Sequence, residues 1–271
     1  MDERLQRRVQ RYGWDKAAGF YEQYWQQQLW PAQKRLLEKT NFQPGETVLD
    51  IACGTGLLCF RIAELVKPAG RVYGTDISDR MVEICRHTAN EKQLGNMQFE
   101  RMEAEELKTC DDAYDVALSS LGLMYVTDGQ QAVNEMYRVV KPGGRASALV
   151  WGQRDRCGWA DIFPIVDARV TSEVCPLFFR LGTGDTLQYV FQQAGFKNIE
   201  VEKMQTLLHY NSADDAIGAA FIGGPVAMAY SRFNELVRQE AHAEYLASIE
   251  QYKQGNSYDI PGEFVIVIGY K

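Results

Sequence analysis

Short apolar runs alternate along this chain with stretches whose apolar positions recur every three or four residues. Residues 1–40 read as helical, with Tyr12, Trp14, Phe20, Tyr21, Tyr24 and Trp25 near helical spacing. A Pro-Gly loop at 41–47 leads into an apolar run at 48–52, which reads as a buried strand entering a glycine-rich turn. Helical spacing resumes at 57–66 and stops at Lys67-Pro68, because proline cannot continue the hydrogen-bond ladder. A second strand at 71–75 ends in Asp76, and a helix at 78–91 follows with Ser78 as its cap. A third strand is expected at 97–101 and a fourth at 115–119. The next helix, 128–140, has Asp128 as its cap and ends at Lys141-Pro142-Gly143-Gly144, ahead of a fifth strand at 145–151. Strands alternating with helices predict a parallel sheet whose right-handed crossovers place helices on both faces.

The pattern loosens beyond Trp151. Residues 152–180 are rich in aromatics without a clear period, 186–194 read as helix and 198–210 contain a strand. A helical stretch over 212–252 breaks at Gly223-Gly224-Pro225, and residues 263–269 read as a final buried strand. The reading is one domain over 1–271. It has an N-terminal helical segment (1–40), a cofactor-binding core (41–151), and cap insertions at 152–180 and 211–262 on the acceptor side.

Charge narrows the partners. A formal net charge of −7 repels phosphate backbones, so nucleic acid is not expected as a partner. No apolar stretch approaches the length of a signal peptide core or a membrane helix, which predicts a cytoplasmic protein. The six cysteines form no CxxC pair and are read as reduced, small apolar residues. No Asp/Glu/His cluster marks a metal site, so none is expected.

The informative segment is VLDIACGTGLLCFRIAELV. Gly54 and Gly56 allow a turn that a Cβ would hinder and let a ligand approach the backbone, while the following helix offers free N–H groups. Such a turn suits a dinucleotide or S-adenosylmethionine. The dinucleotide fingerprint needs a third glycine, and Cys59 stands there. Asp76, 22 residues after Gly54, can accept hydrogen bonds from the ribose hydroxyls that either ligand presents.

The segment D-x-A-C-G-T-G, an acidic residue ending the second strand, and Val-Val-Lys-Pro-Gly-Gly-Arg before the fifth resemble, in order, the motifs of class I S-adenosylmethionine-dependent methyltransferases. The stretch from Ser119 to Arg145 is similar to the ubiquinone/menaquinone C-methyltransferase family. The resemblance covers roughly residues 40–151. It implies an α/β fold: a Rossmann-like, doubly wound, mostly parallel seven-stranded sheet with helices on both faces and, here, a helical cap. It further implies that Asp50, Ala52, Cys53, Gly54, Thr55 and Gly56 hold the methionine end of the cofactor, that Asp76 binds the ribose, and that Ile77 and Met81 lie against the adenine. Met102, Glu103 and Ala104 would read the adenine edge, with Glu103 where the family usually has Asp. Ser119 would close the site beside the methyl group.

Methyl transfer from a sulfonium is an in-line displacement, so the enzyme aligns the acceptor and excludes water, leaving S-adenosylhomocysteine. A base is needed only for a protonated nucleophile. His209, ending a strand expected at the rim, is the candidate, whereas His87 and His242 read as surface residues. Aromatic density at Tyr21, Trp25, Tyr125, Trp151, Trp159, Phe163, Phe178 and Phe179 suits a flat or apolar small-molecule acceptor, quinone-like or phenolic. Tyr21, Tyr125 and Trp151 are the substrate candidates, because they flank the cofactor turns. The insertion between the last two strands departs from the family pattern. Three alternatives stand beside this reading: a non-catalytic S-adenosylmethionine-binding domain, a nicotinamide oxidoreductase, and arsenite methylation through Cys157 and Cys175.

Overall fold

In the computed structural model, residues 3–171 and 174–271 are described, with side chains from Leu5 onward. Residues 1–2 of the predicted N-terminal helix and 172–173 of the predicted cap lie outside the described residues. The sheet comprises β1 (Thr47–Ile51), β2 (Arg71–Asp76), β3 (Met97–Arg101), β4 (Tyr114–Ser120), β5 (Val140–Trp151), β6 (Lys197–Tyr210), β7 (Lys253–Gln254) and β8 (Ser257–Tyr270). Their order is β3-β2-β1-β4-β5-β8-β6, with the two-residue β7 paired to β8. Strands β1 to β5 run parallel, and β8 is antiparallel to both β5 and β6. This is the doubly wound, mostly parallel sheet expected.

The helices are α1 (Glu3–Ala17), α2 (Tyr21–Thr40), α3 (Leu57–Leu65), α4 (Asp79–Glu91), α5 (Gly129–Val139), α6 (Ile162–Asp167), α7 (Thr186–Ala194), α8 (Ala213–Ile217), α9 (Ala227–Tyr230) and α10 (Glu235–Ile249). Ser78 and Asp128 accept from the third residue of α4 and α5, each satisfying an orphan N–H. The inner strands are apolar on both faces because helices cover both; Val48, Leu49, Val116, Leu118, Ala148 and Leu149 are fully buried. One buried polar contact fixes α2 on the sheet: the hydroxyls of Thr40 and Ser147 meet at 2.8 Å. Nearby, Arg145 pairs with Glu46 at 2.7 Å and donates to the carbonyl of Thr40.

Three segments differ from the sequence expectation. The Lys141–Gly144 turn lies inside β5, where pairing with β4 jumps from Tyr114↔Val140 to Val116↔Arg145 and the four residues loop out. The last strand starts at Ser257, because residues 258–262 pair with β6 and Ser257 pairs with Gln254 of β7, so they belong to the sheet and not to the cap. The stretch after Ser212 is α8, a π-helical turn at Gly218–Ile222, α9 and α10, since three glycines and a proline prevent one continuous helix.

Candidate active site

The strand order reverses between β1 and β4, and the crevice outside their carboxyl ends is where open α/β sheets bind ligands. A cavity of about 720 Å³, its open mouth included, lies there. Its walls include Gly54, Asp76, Ile77, Met81, Ala104 and Tyr125. Two smaller cavities adjoin it. One, about 320 Å³, lies over the β1 turn with Asp50, Cys53, Thr55, Gln33 and Ser120 on its wall. The other, about 350 Å³, is lined by Trp14, Tyr21, Trp25, Tyr125, Trp151, Trp159 and Phe178 among others. Tyr21 lines all three.

The backbone of the crevice is built for close approach. Gly54 has φ +56 with open space where a Cβ would stand, so a ligand can approach its peptide. Ala52 and Leu121 hold φ of 58 and 63 without being glycine, a conformation that costs a side chain of order 1–2 kcal/mol. Both line the large cavity, where such strain concentrates at functional sites. Gly122 is required for packing, since a Cβ there would lie 2.3 Å from the Cβ of Ala52. Gly122→Ala is expected to cost about 1–3 kcal/mol by forcing the β1 and β4 turns apart. Denaturant unfolding checks this, and an unchanged midpoint would refute it.

Asp76 is 6% exposed, and its two oxygens accept from the N–H groups of Gly54 and Ser78, both at 2.9 Å. Burial, then the Cys53 sulfur, pushes its carboxyl up to about 7. Burial also raises Asp50 well above the usual carboxylate range, with Cys53 adding to it, although the Cys59 thiol donates to Oδ2 at 3.1 Å. The neighbouring thiols of Cys59 and Cys85 pull the Cys53 thiol below its ordinary value. The three thiols converge on the turn, and Cys85 donates to the carbonyl of Gly54 at 3.2 Å. Two buried carboxyls, each disfavoured as an anion by desolvation, gain from a cationic ligand placed beside them.

The unpartnered polar atoms agree. Asp50 Oδ1, Thr55 Oγ1 and Ser120 Oγ are buried without a hydrogen bond, and all three residues line the small polar cavity. Buried polar groups are rarely left unpaired, so this set calls for a ligand. A carboxylate acceptor beside two hydroxyl donors fits an ammonium and a carboxylate, the two ends of an amino acid.

The sequence candidates divide accordingly. Ala52, Gly54, Asp76, Ile77, Met81, Met102 and Ala104 line the large cavity, and Asp50, Cys53 and Thr55 line the polar one beside it. Gly56 lines neither; its φ of +85 starts α3. Ser119 is a correction: it is fully buried, and its neighbour Ser120 faces the cavity, because successive strand residues point to opposite faces. Glu103 is another: both it and Glu105 approach Arg7 at 3.6 Å, but only Glu105 is part of the cavity wall, where it accepts from Thr127 and Asp128. Tyr21 and Tyr125 line the large and the aromatic cavities, and Trp151 lines the aromatic one, stacked on Phe264 at 4.1 Å.

His209 is the third correction. It sits on β6, half exposed and paired with Asp259 at 2.7 Å, and it lines none of the three cavities. Asp259, then Asn211, holds its imidazole above the usual value. His87 is exposed beside Glu91, as expected. His242 instead stacks on Tyr230, hydrogen-bonded to its hydroxyl at 3.0 Å, and burial lowers its pKa. The Cys157 thiol donates to the carbonyl of Glu263, and the Cys175 sulfur accepts from Gln10. Among the described residues no group of His, Cys, Asp and Glu is arranged to hold a metal ion, and no helix is long and apolar enough to cross a membrane.

Sequence reasoning missed Gln10, Trp14, Glu105, Ser120, Leu121 and Gly122 as wall residues. The alternation of β4 could have selected Ser120 over Ser119. Nothing local could have brought Trp14 from α1 to within 5.0 Å of the Tyr125 ring.

The profile of the ubiE/COQ5 methyltransferase family matches residues 23–163. A demethylmenaquinone methyltransferase of Geobacillus sp. is 30% identical over 184 residues, 61% of this chain and 77% of that one. The Listeria welshimeri enzyme of the same name is 35% identical over 130 residues, 48% of this chain and about half (55%) of its own length. Among solved structures, the Haemonchus contortus phosphoethanolamine N-methyltransferase 2 in complex with S-adenosyl-L-methionine superposes with a TM-score of 0.64. Its identity is 15%, covering 94% of this chain and 57% of that one, a likeness of fold.

Proposed function

The chain belongs to the ubiE/COQ5 methyltransferase family and is an S-adenosylmethionine-dependent methyltransferase, and from that premise we propose that its acceptor is a flat, apolar, oxygen-bearing ring of the quinol or phenol class. Family membership sets aside the nicotinamide oxidoreductase and the non-catalytic binding domain. Bound S-adenosylmethionine supplies a methyl group already activated by its sulfonium.

The chain's residues then do three things. Asp50, Thr55 and Ser120 bind the amino-acid end through their unpartnered oxygens. Asp76 keeps a free lone pair on each oxygen for the ribose hydroxyls, while Ile77, Met81 and Met102 offer apolar surface to the base. Tyr21, whose phenol burial raises above its usual value, lines both the cofactor cavity and the aromatic one and offers a hydrogen-bond donor between them.

The observation that carries the acceptor class is the aromatic cavity, which shares Trp14, Tyr21, Leu121 and Tyr125 with the cofactor cavity. On its wall the indole Nε1 of Trp159 is buried without an acceptor, so an oxygen on the ring would complete it. The aromatic walls also exclude water from the transfer. The demethylmenaquinone methyltransferases similar to this chain support the same class.

The test is turnover of purified protein with labelled S-adenosylmethionine against reduced naphthoquinones, benzoquinols, simple phenols, amines and arsenite, with product masses. Methylated quinols or phenols are expected. Methylation confined to amines or arsenite would overturn the acceptor class.

A further inference from the structure

Helix α1 has two faces with separate duties. Arg7, Gln10 and Trp14 line the large cavity on one side, and Asp15 ties that side to α4 by accepting from Ser78 Oγ at 2.6 Å. On the opposite side Leu5, Arg8, Tyr12 and Lys16 recur at helical spacing, and all are exposed; Phe20 follows in the next turn. Leu5, Tyr12 and Phe20 are three of the seven large exposed apolar side chains among the described residues. Arg8 and Lys16 carry no ion pair among those residues, whereas Arg7 and Arg11 face Glu103 and Asp79.

The helix sequence holds five basic residues and two acidic ones, a net +3 within a chain of net −7. An apolar stripe interleaved with cations is the pattern of a helix that lies in the plane of a bilayer interface. The charge reversal against the rest of the chain selects a negatively charged surface.

We propose that α1 docks this protein on an anionic lipid bilayer, with Leu5, Tyr12 and Phe20 in the headgroup layer and Arg8 and Lys16 against the lipid phosphates. Docking turns the cavity-covering helix toward the membrane, where an apolar ring compound dissolves. That consequence rests on the proposed acceptor class; the docking itself rests on the helix.

The test is flotation of the full chain with phosphatidylglycerol vesicles and with phosphatidylcholine vesicles at low and high salt. At least tenfold more protein is expected on the anionic vesicles, with release at high salt. The variant Leu5→Ser/Tyr12→Ser/Phe20→Ser and the variant Arg8→Glu/Lys16→Glu are each expected to lose at least tenfold in bound fraction. Both should keep the wild-type affinity for S-adenosylhomocysteine in solution, which shows that they fold. Wild-type protein that ignores both vesicle types, or variants that bind like wild type, would overturn the docking and leave the stripe to a protein partner. Stripe-dependent binding without methylation of any quinol or phenol would uphold the docking and overturn only the acceptor class.

Discussion

Asp76→Ala is expected to weaken S-adenosylmethionine and S-adenosylhomocysteine binding by at least about 100-fold. Two hydrogen bonds from ribose hydroxyls to a charged acceptor contribute roughly 1.5–3 kcal/mol each, and every 1.4 kcal/mol is tenfold. The variant also frees the N–H groups of Gly54 and Ser78, which loosens the turn. Calorimetric titration of both ligands checks the expectation, and an unchanged Kd would remove Asp76 from the site. The pH dependence gives an independent reading. With its carboxyl at about 7 in the free protein, Asp76 is a better acceptor above that pH, so affinity should rise through pH 7 and then level.

Stability runs the other way. From the unfolded value of 3.8 up to about 7, the native state holds a proton that the unfolded chain has lost. This contribution is therefore fully present below about pH 4 and is lost as pH rises to about 7. The group is buried, and a shift of this size corresponds to about 4 kcal/mol. Asp76→Asn should flatten that slope in pH-dependent urea unfolding; an unaltered slope would assign it to other groups.

Trp159→Ala is expected to cost about 3–5 kcal/mol of stability and to abolish acceptor turnover. Trp159 is 4% exposed and meets the rings of Trp25, Trp151, Phe163, Phe178 and Phe179, so truncation opens a void that rigid aromatics cannot fill. Trp159→Phe separates packing from chemistry. It keeps most of the ring volume and loses Nε1, so the acceptor KM should rise up to about tenfold, the worth of one hydrogen bond. The Kd for S-adenosylhomocysteine should not change. If KM is also unchanged, the indole N–H does not contact the acceptor.

The site candidates show where sequence reasoning holds. Gly54, Asp76 and Ile77 stand at strand ends and Met81 in the first turn of α4, where a turn, a cap and a helix start leave little freedom, so their placement follows from neighbours a few residues away. Glu103 and Ser119 failed by one or two positions. For Ser119 a single step along β4 exchanges the cavity face for the buried one; Glu103 lies in the turn after β3, where no periodicity says which of Glu103, Glu105 and Glu106 faces inward. His209 failed differently. It ends its strand as expected, but β6 is the sheet's edge, far in the strand order from the β1–β4 reversal.

By itself, then, the sequence determined the alternation of strands and helices, the glycine turn after β1, the caps at Ser78 and Asp128, and the class of cofactor. The elements, the turn and the caps are encoded in short-range periodicity and local backbone chemistry, and the class of cofactor in motifs that resemble those of a known family. Only the tertiary structure decided that Cys53, Cys59 and Cys85 converge on one turn, and that Trp14 and Trp159, 145 residues apart, line one aromatic cavity. It also decided which side of α1 faces the site and which faces outward. Those contacts depend on how distant elements pack, and packing is set by the shape and burial of whole faces.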